Sequence, residues 1–317
     1  MSEDRSCLII GAGMAGLTAA RLLHAAGWSV RLLDKGRRVG GRMATRRLAE
    51  SHFDHGAQFF TVRAPRFQVM VDQLVADGVV VPWFAEGGHL RYRGVEGMNS
   101  LPKHMGAAFK VRTATKVTMV EPSGDGWCAR TECGKTFTAD AILLTAPAPQ
   151  SLAMLSGCVD EIAPEVAATL RAVEFDPCFA LMVTVDGASA VPAPGYVRPA
   201  EGPLEWIADN TQKGLSTGVT ALTLHSRAGF AREHLDSAVE EVERLMLEAA
   251  APWLGGEVKE RHLHRWLYSK PVDAERPACL YSNYPAPLAV AGDAFGGSRI
   301  EAAFLSGVAA AEAIIAS

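Results

Sequence analysis

The chain has 317 residues, of which 49% are hydrophobic and 21% charged, a composition typical of a globular protein with a substantial core. Its formal charge of −4 gives no basic excess, which argues against a nucleic acid as partner. No stretch reaches the roughly 18 consecutive apolar residues of a membrane-spanning helix, so we expect a soluble protein without a membrane partner.

The cysteines predict neither a disulfide framework nor a metal site. They stand at positions 7, 128, 133, 158, 178 and 279, with no CxxC pair and no Cys/His spacing suited to zinc. We therefore expect mostly buried thiols and no bound metal. Reduced thiols are typical of the cytoplasm, which is the location we expect.

The first 34 residues carry the pattern of a dinucleotide-binding βαβ unit. Apolar residues 8–10 predict a strand that runs into Gly-Ala-Gly-Met-Ala-Gly, and helical periodicity follows as far as Gly27. A second strand ends at Asp34, whose carboxylate suits the hydroxyls of a ribose. The first glycine of the motif permits a tight turn, the second lets the backbone approach a pyrophosphate, and the third lets helix and strand pack closely. The predicted cofactor contacts in this unit are Gly11, Ala12, Gly13, Met14, Ala15, Gly16, Asp34 and Lys35.

The next two segments indicate which dinucleotide is bound. Gly-Gly-Arg at 40–42 and Phe-Asp-His-Gly-Ala-Gln-Phe-Phe-Thr at 53–61 resemble segments of the FAD-binding amine oxidase and desaturase superfamily. The resemblance implies that Gly40, Gly41 and Arg42 flank the FAD pyrophosphate. Glycines allow close backbone approach, and a guanidinium matches phosphate oxygens in a bidentate fork. The same resemblance places Gly56, Ala57, Gln58 and Phe59 beside the isoalloxazine ring, although Phe59 could equally belong to the core.

Strand patterns continue after this segment. Residues 111–120 and 127–131, separated by turn residues 122–126, predict a β-hairpin. The superfamily resemblance places Val117 of that hairpin against the adenine. The continuous apolar run 141–146 predicts a parallel strand buried on both faces, which returns the chain to the Rossmann sheet.

The C-terminal part of the chain carries a second cofactor pattern. Residues 288–293 predict a buried strand that ends in Gly-Asp, and a helix of small residues is predicted to open after it. In the superfamily such an acid binds the ribityl hydroxyls of FAD, and the helix start faces the flavin pyrimidine ring. The contacts implied here are Gly292, Asp293, Arg299, Ile300 and Ala303. Because one cofactor accounts for both ends of the chain, FAD fits better than NAD.

The middle of the chain predicts a separate α+β domain. Strand-like runs at 179–185, 204–208 and 219–224 precede a charged amphipathic helix at 230–250. The predicted fold class is therefore α/β plus α+β, a Rossmann-type FAD-binding domain of the amine oxidase/glutathione reductase type with an inserted mixed-sheet substrate domain. We assign residues 1–61, 106–154 and 281–317 to a discontinuous FAD-binding domain, and residues 62–105 and 155–280 to the substrate domain, which should form a lid over the flavin.

The full-length pattern is similar to the renalase family. The similarity is carried by GAGMAGLTAARLL at 11–23, GGRMATRR at 40–47, FDHGAQFFT at 53–61, HRWLYSKP at 264–271 and AGDAFGGSRIEAAFLSG at 291–307. It implies a noncovalent FAD oxidase that oxidises the misreduced 2- and 6-dihydro isomers of NAD(P). Oxygen is then the acceptor, and hydrogen peroxide and NAD(P)+ are the products. The absence of a second GxGxxG and of CxxC agrees with a substrate that is itself the reductant.

A dihydropyridine already donates hydride readily, so positioning over the flavin should dominate the chemistry. The predicted substrate pocket consists of Gln58, His225, Trp266 and Tyr268 as catalytic candidates, with Arg63 and Trp206 beside them. Each has an ordinary alternative, since the two tryptophans alternate with apolar neighbours and the histidine suits a strand interior.

Two other functions remain open at this point. One is a flavin amine oxidase or desaturase-like dehydrogenase, which would share the FAD fold and differ in the middle domain. The other is a flavin-binding scaffold or redox sensor without turnover. Neither the preference between NAD and NADP isomers nor the oligomeric state can be inferred from these patterns.

Overall fold

The computed structural model describes residues 5–273 and 276–317, so the start of the predicted range 1–61 and two residues inside the predicted range 155–280 lie outside the described residues. The first half contains β1 (Ser6–Ile10), α1 (Met14–Ala25), β2 (Ser29–Leu33), β3 (Thr45–Leu48), β4 (Ser51–Asp54), α2 (Pro65–Ala76), β5 (Val80–Glu86), β6 (His89–Gly94), α3 (Ser100–Gly106), β7 (Val111–Arg112), β8 (Val117–Ser123), β9 (Gly126–Thr131), β10 (Thr136–Ala139), β11 (Ala141–Leu144) and α4 (Ala148–Leu155). The second half contains α5 (Val159–Ile162), α6 (Pro164–Arg171), β12 (Phe175–Val185), β13 (Tyr196–Val197), β14 (Leu204–Asp209), β15 (Thr220–Ser226), α7 (Ala228–Glu233), α8 (Val239–Leu254), β16 (Val258–Pro271), β17 (Leu280–Ser282), β18 (Leu288–Val290) and α9 (Ile300–Ile315).

A six-stranded sheet in the order β17-β18-β11-β1-β2-β7 forms the Rossmann layer. Its inner strands are parallel, and only β17 runs antiparallel to its neighbour β18. Alternate residues of β1 point to two different cores: Ile9 packs with α1 and α9, whereas Leu8 and Ile10 pack with the β8–β10 sheet and α4. Burial on both faces explains the unbroken apolar runs that predicted these strands, and the Rossmann prediction is confirmed.

Helices α1 and α9, from opposite ends of the chain, pack closely beside this sheet. A Cβ atom added at Gly307 would lie 2.3 Å from the carbonyl oxygen of Ala15, so only glycine permits this approach. The contact brings the start of α1 against the middle of α9. Among the described residues, none of the helices combines the length and hydropathy needed to cross a bilayer.

The middle of the chain forms an antiparallel sheet in the order β13-β14-β15-β12-β16. Helix α8 covers one face, where Val242 and Met246 pack on Phe179, Leu181 and other strand residues. The opposite face is turned towards the β3–β4 hairpin, through which Phe53 packs against Met182 and Ala221. This second layer confirms the predicted combination of an α/β and an α+β part.

Three predicted elements differ in detail. The predicted strand 111–120 is divided at Ala114, whose φ of +49° turns the chain, so β7 joins the Rossmann sheet and β8 forms the hairpin with β9. The predicted helix 230–250 is two helices, α7 and α8, separated at residues 234–238, where the His234 ring contacts the Ser237 hydroxyl. The helix predicted to open directly after the last strand begins only at Ile300.

Residues 62–105 are shared between the two layers. Phe67 of α2 and Leu101 of α3 belong to the same core as α1 and α9. The β5–β6 hairpin instead reaches the middle sheet, where Glu86 accepts hydrogen bonds from Arg198 at 2.6 and 3.0 Å. The hairpin is thus the part of this segment that lies against the substrate side, and the exact domain boundaries stay a prediction.

Candidate functional site

The glycine-rich turn between β1 and α1 leaves open space in front of the helix. Gly11 has φ +113°, and a Cβ at Gly16 would lie 2.1 Å from the Gly11 carbonyl oxygen, so both glycines are required by the fold itself. Around Gly13, by contrast, an added Cβ would meet no atom within 4 Å. Gly13 therefore leaves room for a molecule to approach the backbone from outside the chain.

The start of α1 is prepared for an anion. Gly13 occupies the N-cap and supplies no side-chain hydrogen bond, and the first turn has no acidic residue. The free amides and the positive end of the helix dipole favour a phosphate at this position.

Two predicted loops close around this turn. Gly40, with φ +117°, donates its amide to the Ala12 carbonyl oxygen at 2.8 Å, and a Cβ at Gly41 would lie 3.9 Å from the Gly13 Cα. The carbonyl oxygen of Arg42 accepts the amide of Ala57 at 2.9 Å. Segments 11–16, 40–42 and 56–57, which are far apart in sequence, are therefore adjacent in space.

Arg42 and Asp293, each predicted to contact FAD, form a bidentate ion pair with each other at 2.6 and 2.7 Å. Both side chains remain partly accessible, at 27% and 17%. Arg42 also lies 3.4 Å from the carbonyl oxygens of Tyr268 and Ser269 on β16. The pair thus joins the pyrophosphate side to the C-terminal Gly-Asp, and its role towards FAD stays a prediction.

Asp34, which directly follows β2, fixes the backbone of the glycine-rich turn. Its two carboxylate oxygens accept the amides of Ala12 and Gly36, each at 2.6 Å. Burial raises the pKa of Asp34, and these amides oppose that effect. Since each oxygen has more than one lone pair, a ribose hydroxyl can still bind there. Lys35 points away to Gln150, at 3.0 Å.

The remaining predicted FAD contacts lie on β8, on the segment after β18 and at the start of α9. Val117 opens β8 and is buried, and Gly292, with φ +155°, donates its amide to the Ser306 hydroxyl of α9 at 2.9 Å. Arg299 is the N-cap of α9 and makes no side-chain cap hydrogen bond. Ile300 and Ala303 lie in the first turn of that helix, packed on the α1 core.

A buried ion pair that the sequence analysis missed holds the segment predicted to lie beside the flavin. Lys213, from the loop after β14, donates to Asp54 Oδ2 and to the Gln58 carbonyl oxygen, both at 2.7 Å. Both charged side chains are completely inaccessible. Burial lowers the pKa of Lys213, and the Asp54 charge opposes this. Asp54 also accepts the Thr45 hydroxyl at 2.5 Å and the Met98 amide at 2.8 Å.

A second missed feature is a cluster of histidines around Trp266. The carbonyl oxygen of His55 accepts Trp266 Nε1 at 2.8 Å, and His225 Nε2 lies 3.1 Å from the same oxygen. The His55 ring stacks on Trp266 with centroids 5.5 Å apart, and His264 lies 4.3 Å from Trp266. The predicted residues His225 and Trp266 are thus brought together, and His55 and His264 join them.

These imidazoles are kept neutral. Burial lowers the pKa of His55 to about 3, with smaller contributions from His264, His225 and Arg46. Burial likewise lowers the pKa of His225 to about 4 and lowers the pKa of His264. The cluster therefore presents uncharged aromatic rings at neutral pH.

An aromatic group surrounds Phe59, the residue that follows Gln58. Phe59 and Trp206 have ring centroids 5.5 Å apart, and Tyr196 stacks on Trp206 at 4.5 Å with an interplanar angle of 2°. Trp83 and Phe84 of the β5–β6 hairpin complete the group. The hairpin thus encloses the two predicted residues Phe59 and Trp206.

The structure places Arg63 and Tyr268 differently. Arg63 is exposed just before α2, where its backbone amide donates to the buried Glu301 carboxylate at 2.6 Å. Tyr268 packs edge-on against Phe175 at 5.7 Å, near the Arg42–Asp293 pair. Among the described contacts neither side chain meets the His225–Trp266 cluster. That cluster lies on β15 and β16, whereas Arg63 lies just before α2 and Tyr268 lies further along β16.

Several buried polar atoms have no partner within the described chain, and they test whether a flavin fits. They include His55 Nδ1, Gln58 Oε1 and Trp206 Nε1. Leaving such an atom unpaired costs about 1–3 kcal/mol, so these atoms suit a bound molecule with its own donors and acceptors. With the uncapped α1, the open space at Gly13 and the adjacent loops, the residues fit FAD.

Comparison with known proteins agrees with this geometry. A family model described as NAD(P)-binding Rossmann-like domain matches residues 9–74, and one described as flavin containing amine oxidoreductase matches residues 77–315. This fold and this site define an FAD-dependent oxidase. The chain belongs to the flavin containing amine oxidoreductase family.

Within that family the chain is similar to renalase over nearly its whole length. It is 25% identical to renalase from Mus musculus over 316 residues, which cover 91% of this chain and 92% of the relative. Putrescine oxidase from Kocuria rosea is 37% identical, over 71 residues that cover 22% of this chain and 15% of that protein. A solved structure of putrescine oxidase with bound putrescine superposes with a TM-score of 0.70 at 15% identity, covering 99% of each chain, which shows the shared fold.

Proposed function

We propose that the chain oxidises the 2- and 6-dihydro isomers of NAD(P) to NAD(P)+, with oxygen as the acceptor and hydrogen peroxide as the second product. The observation that carries the proposal is the length of the similarity: it reaches 91% of the chain for renalase but 22% for putrescine oxidase. The first comparison therefore spans the middle domain, which is expected to set substrate specificity, and the 71 residues of the second are too few to span it.

The reaction needs little acid–base catalysis. A dihydropyridine gains aromaticity when it gives up hydride, while bound FAD supplies the hydride acceptor and passes two electrons to oxygen. The protein must hold the substrate ring in place and exclude water. Aromatic side chains such as Phe59, Trp206 and Trp266 are suited to this task.

The neutral histidines suit the charge that develops. Loss of hydride turns an uncharged ring into a pyridinium cation, which a nearby protonated imidazole would repel. Burial keeps His55 and His225 uncharged at neutral pH. The unpaired Gln58 Oε1 adds an acceptor suited to an amide N–H of the nicotinamide carboxamide.

Aerobic turnover tests the proposal. Borohydride-reduced NAD+, which contains a mixture of dihydro isomers, is incubated with the FAD-loaded protein, and NAD+ and hydrogen peroxide are measured. We expect the two products in a 1:1 ratio from the 2- and 6-isomers, and none above background from pure 4-dihydro NADH. Peroxide without NAD+ formation, or no product at all, would contradict the proposal.

The amine oxidase alternative follows from the family and is tested in the same assay. Primary amines and diamines replace the dihydro isomers, and the aldehyde product is measured with peroxide. The proposal predicts no aldehyde, because the carboxylate beside the candidate pocket, Asp54, is already paired with Lys213 and cannot serve an alkylammonium group. Rapid aldehyde formation would favour the alternative.

A further inference from the structure

A cavity of about 420 Å³, wide open to solvent, lies beside the segment predicted to contact the flavin. Its lining residues are Pro82, Trp83, Arg93, Ala193, Pro194, Gln212 and Lys213. This volume is within the usual range for small-molecule pockets, which begins at roughly 300 Å³. Lys213 forms part of the wall and donates to the Gln58 carbonyl oxygen at 2.7 Å, so the cavity adjoins the candidate active site.

The cavity carries an excess positive charge. Two cations, Arg93 and Lys213, line it, and the one carboxylate whose charge acts on both, Asp54, is paired with Lys213 at 2.7 Å. Within residues 5–273 and 276–317, Arg93 has no ion-pair partner. Half-burial away from bulk water strengthens the attraction of this charge for an anion.

Arg93 has hydrogen-bond donors to spare. Its Nη1 donates to the carbonyl oxygens of Gly94 and Val95, at 3.0 and 3.2 Å, which fixes the guanidinium against the β6 backbone. A Cβ at Gly214 would lie 3.1 Å from Arg93 Nη2, so the Gly214 backbone packs closely beside the guanidinium and helps to fix it. The Trp83 ring forms an apolar wall, held by Lys213 at 4.7 Å and by a hydrogen bond to Pro194.

We infer that this cavity binds the phosphate groups of a dinucleotide substrate, with Arg93 as the phosphate contact. The inference rests on the proposed function, because that function supplies a substrate with two phosphates attached to its reacting half. A fixed guanidinium with free N–H groups is the side chain best matched to phosphate oxygens.

Three substrates separate the phosphate contact from binding of the nicotinamide ring: the 6-dihydro isomers of NAD, of nicotinamide mononucleotide and of nicotinamide riboside. We expect the wild type to prefer the two phosphorylated forms in kcat/KM. In Arg93→Gln that preference over the riboside should fall by about tenfold or more, mainly through KM. Arg93→Lys, which keeps the charge, should retain part of it. Arg244→Gln removes an exposed arginine on α8 and should leave the preference unchanged.

An unchanged preference in Arg93→Gln, or an equal preference in wild type for the riboside, would overturn the inference. A second measurement does not depend on turnover: calorimetric titration of ADP into FAD-saturated protein. Weaker ADP binding by Arg93→Gln, about tenfold or more, supports the cavity even where no dihydro isomer reduces the flavin, in which case only the proposed function fails. Equal binding by both proteins, or none by wild type, counts against the cavity.

Discussion

At the scale of single residues, the Asp54–Lys213 pair has the largest consequence for the candidate site. Its two charges are completely buried, and Lys213, in the loop after β14, donates a hydrogen bond to the Gln58 carbonyl oxygen. A buried charge is tolerated only while its partner is present, because the desolvation cost of each is several kcal/mol. The pair therefore couples the middle layer to the segment predicted to lie beside the flavin.

Replacing Lys213 by methionine should lower the free energy of unfolding by about 3–5 kcal/mol, because Asp54 is left buried without its counter-charge. In Asp54→Asn/Lys213→Met the loss should be smaller than in Lys213→Met, since asparagine can still accept from Thr45 and Met98. Urea unfolding of Lys213→Met, of Asp54→Asn and of the double variant measures the coupling. Strictly additive losses, or a loss below about 1 kcal/mol in Lys213→Met, would show that the pair is not coupled.

Residues with local signals could be predicted, and Lys213 could not. Gly11, Gly13 and Gly16 act within one turn, so their spacing alone shows their roles. Lys213 stands in a polar loop sequence, Asp-Asn-Thr-Gln-Lys-Gly, and its partner Asp54 is 159 residues away. Its composition predicts an exposed turn, and only the folded chain shows the burial.

At the scale of elements, the glycines of the βαβ turn differ in role. The fold requires Gly11 and Gly16, whereas Gly13 is predicted to be required for FAD binding. Gly13→Ala should change the stability of the FAD-free protein by less than about 1 kcal/mol. It should nevertheless weaken FAD binding by about tenfold or more, because the new methyl group enters the space for the pyrophosphate. Unfolding of the FAD-free protein and fluorescence titration with FAD measure the two effects.

Gly16→Ala is the matched comparison in the same motif. Its Cβ would lie 2.1 Å from the Gly11 carbonyl oxygen, so the FAD-free protein itself should lose about 2 kcal/mol or more. If Gly13→Ala bound FAD as tightly as wild type, the pyrophosphate would not lie in front of α1. If Gly16→Ala were fully stable, the tight helix–strand contact would be wrong.

Element types were predictable where the hydrophobic period was strong, and boundaries were not. The apolar strands β1, β11 and β18 follow from burial on both faces. The division of 111–120 at Ala114 depends on a single left-handed residue, and alanine gives no sign of that conformation. The break between α7 and α8 falls at residues 234–238, which include no glycine or proline to mark it.

At the scale of the whole molecule, the neutral histidine cluster makes stability depend on pH. The pKa of His55 is about 3 in the folded chain against an ordinary value of 6.5. His55 is therefore protonated below about pH 6.5 in the unfolded chain, but only near pH 3 in the folded chain. The stabilisation is complete above pH 6.5 and is lost as the pH falls towards 3.

Between pH 6.5 and 5, His55 alone should account for a loss of about 2 kcal/mol in the free energy of unfolding. His55→Asn should flatten this part of the stability profile, whereas His89→Asn, which changes an exposed histidine on β6, should not. Chemical unfolding at several pH values, at equal FAD loading, gives the profile. The same slope in wild type and His55→Asn would remove His55 as its source.

The general assembly could be predicted because both cofactor motifs lie at the ends of the chain and imply one ligand between them. The contacts between layers could not, since they depend on how the β5–β6 hairpin and the loop after β14 meet residues 53–60. Those contacts determine the candidate pocket. His55 and His264 lie in segments that carry the family similarity, but neither segment shows that the two rings meet, and Trp83 has no local signal.

The proposed function is tested most directly by mixing the FAD-loaded protein anaerobically with borohydride-reduced NAD+ while flavin absorbance is recorded. We expect rapid bleaching by the 2- and 6-dihydro isomers, slow or no bleaching by pure 4-dihydro NADH, and full recovery when oxygen is admitted. Bleaching by an amine but by none of the dihydro isomers would contradict the account and favour an amine oxidase.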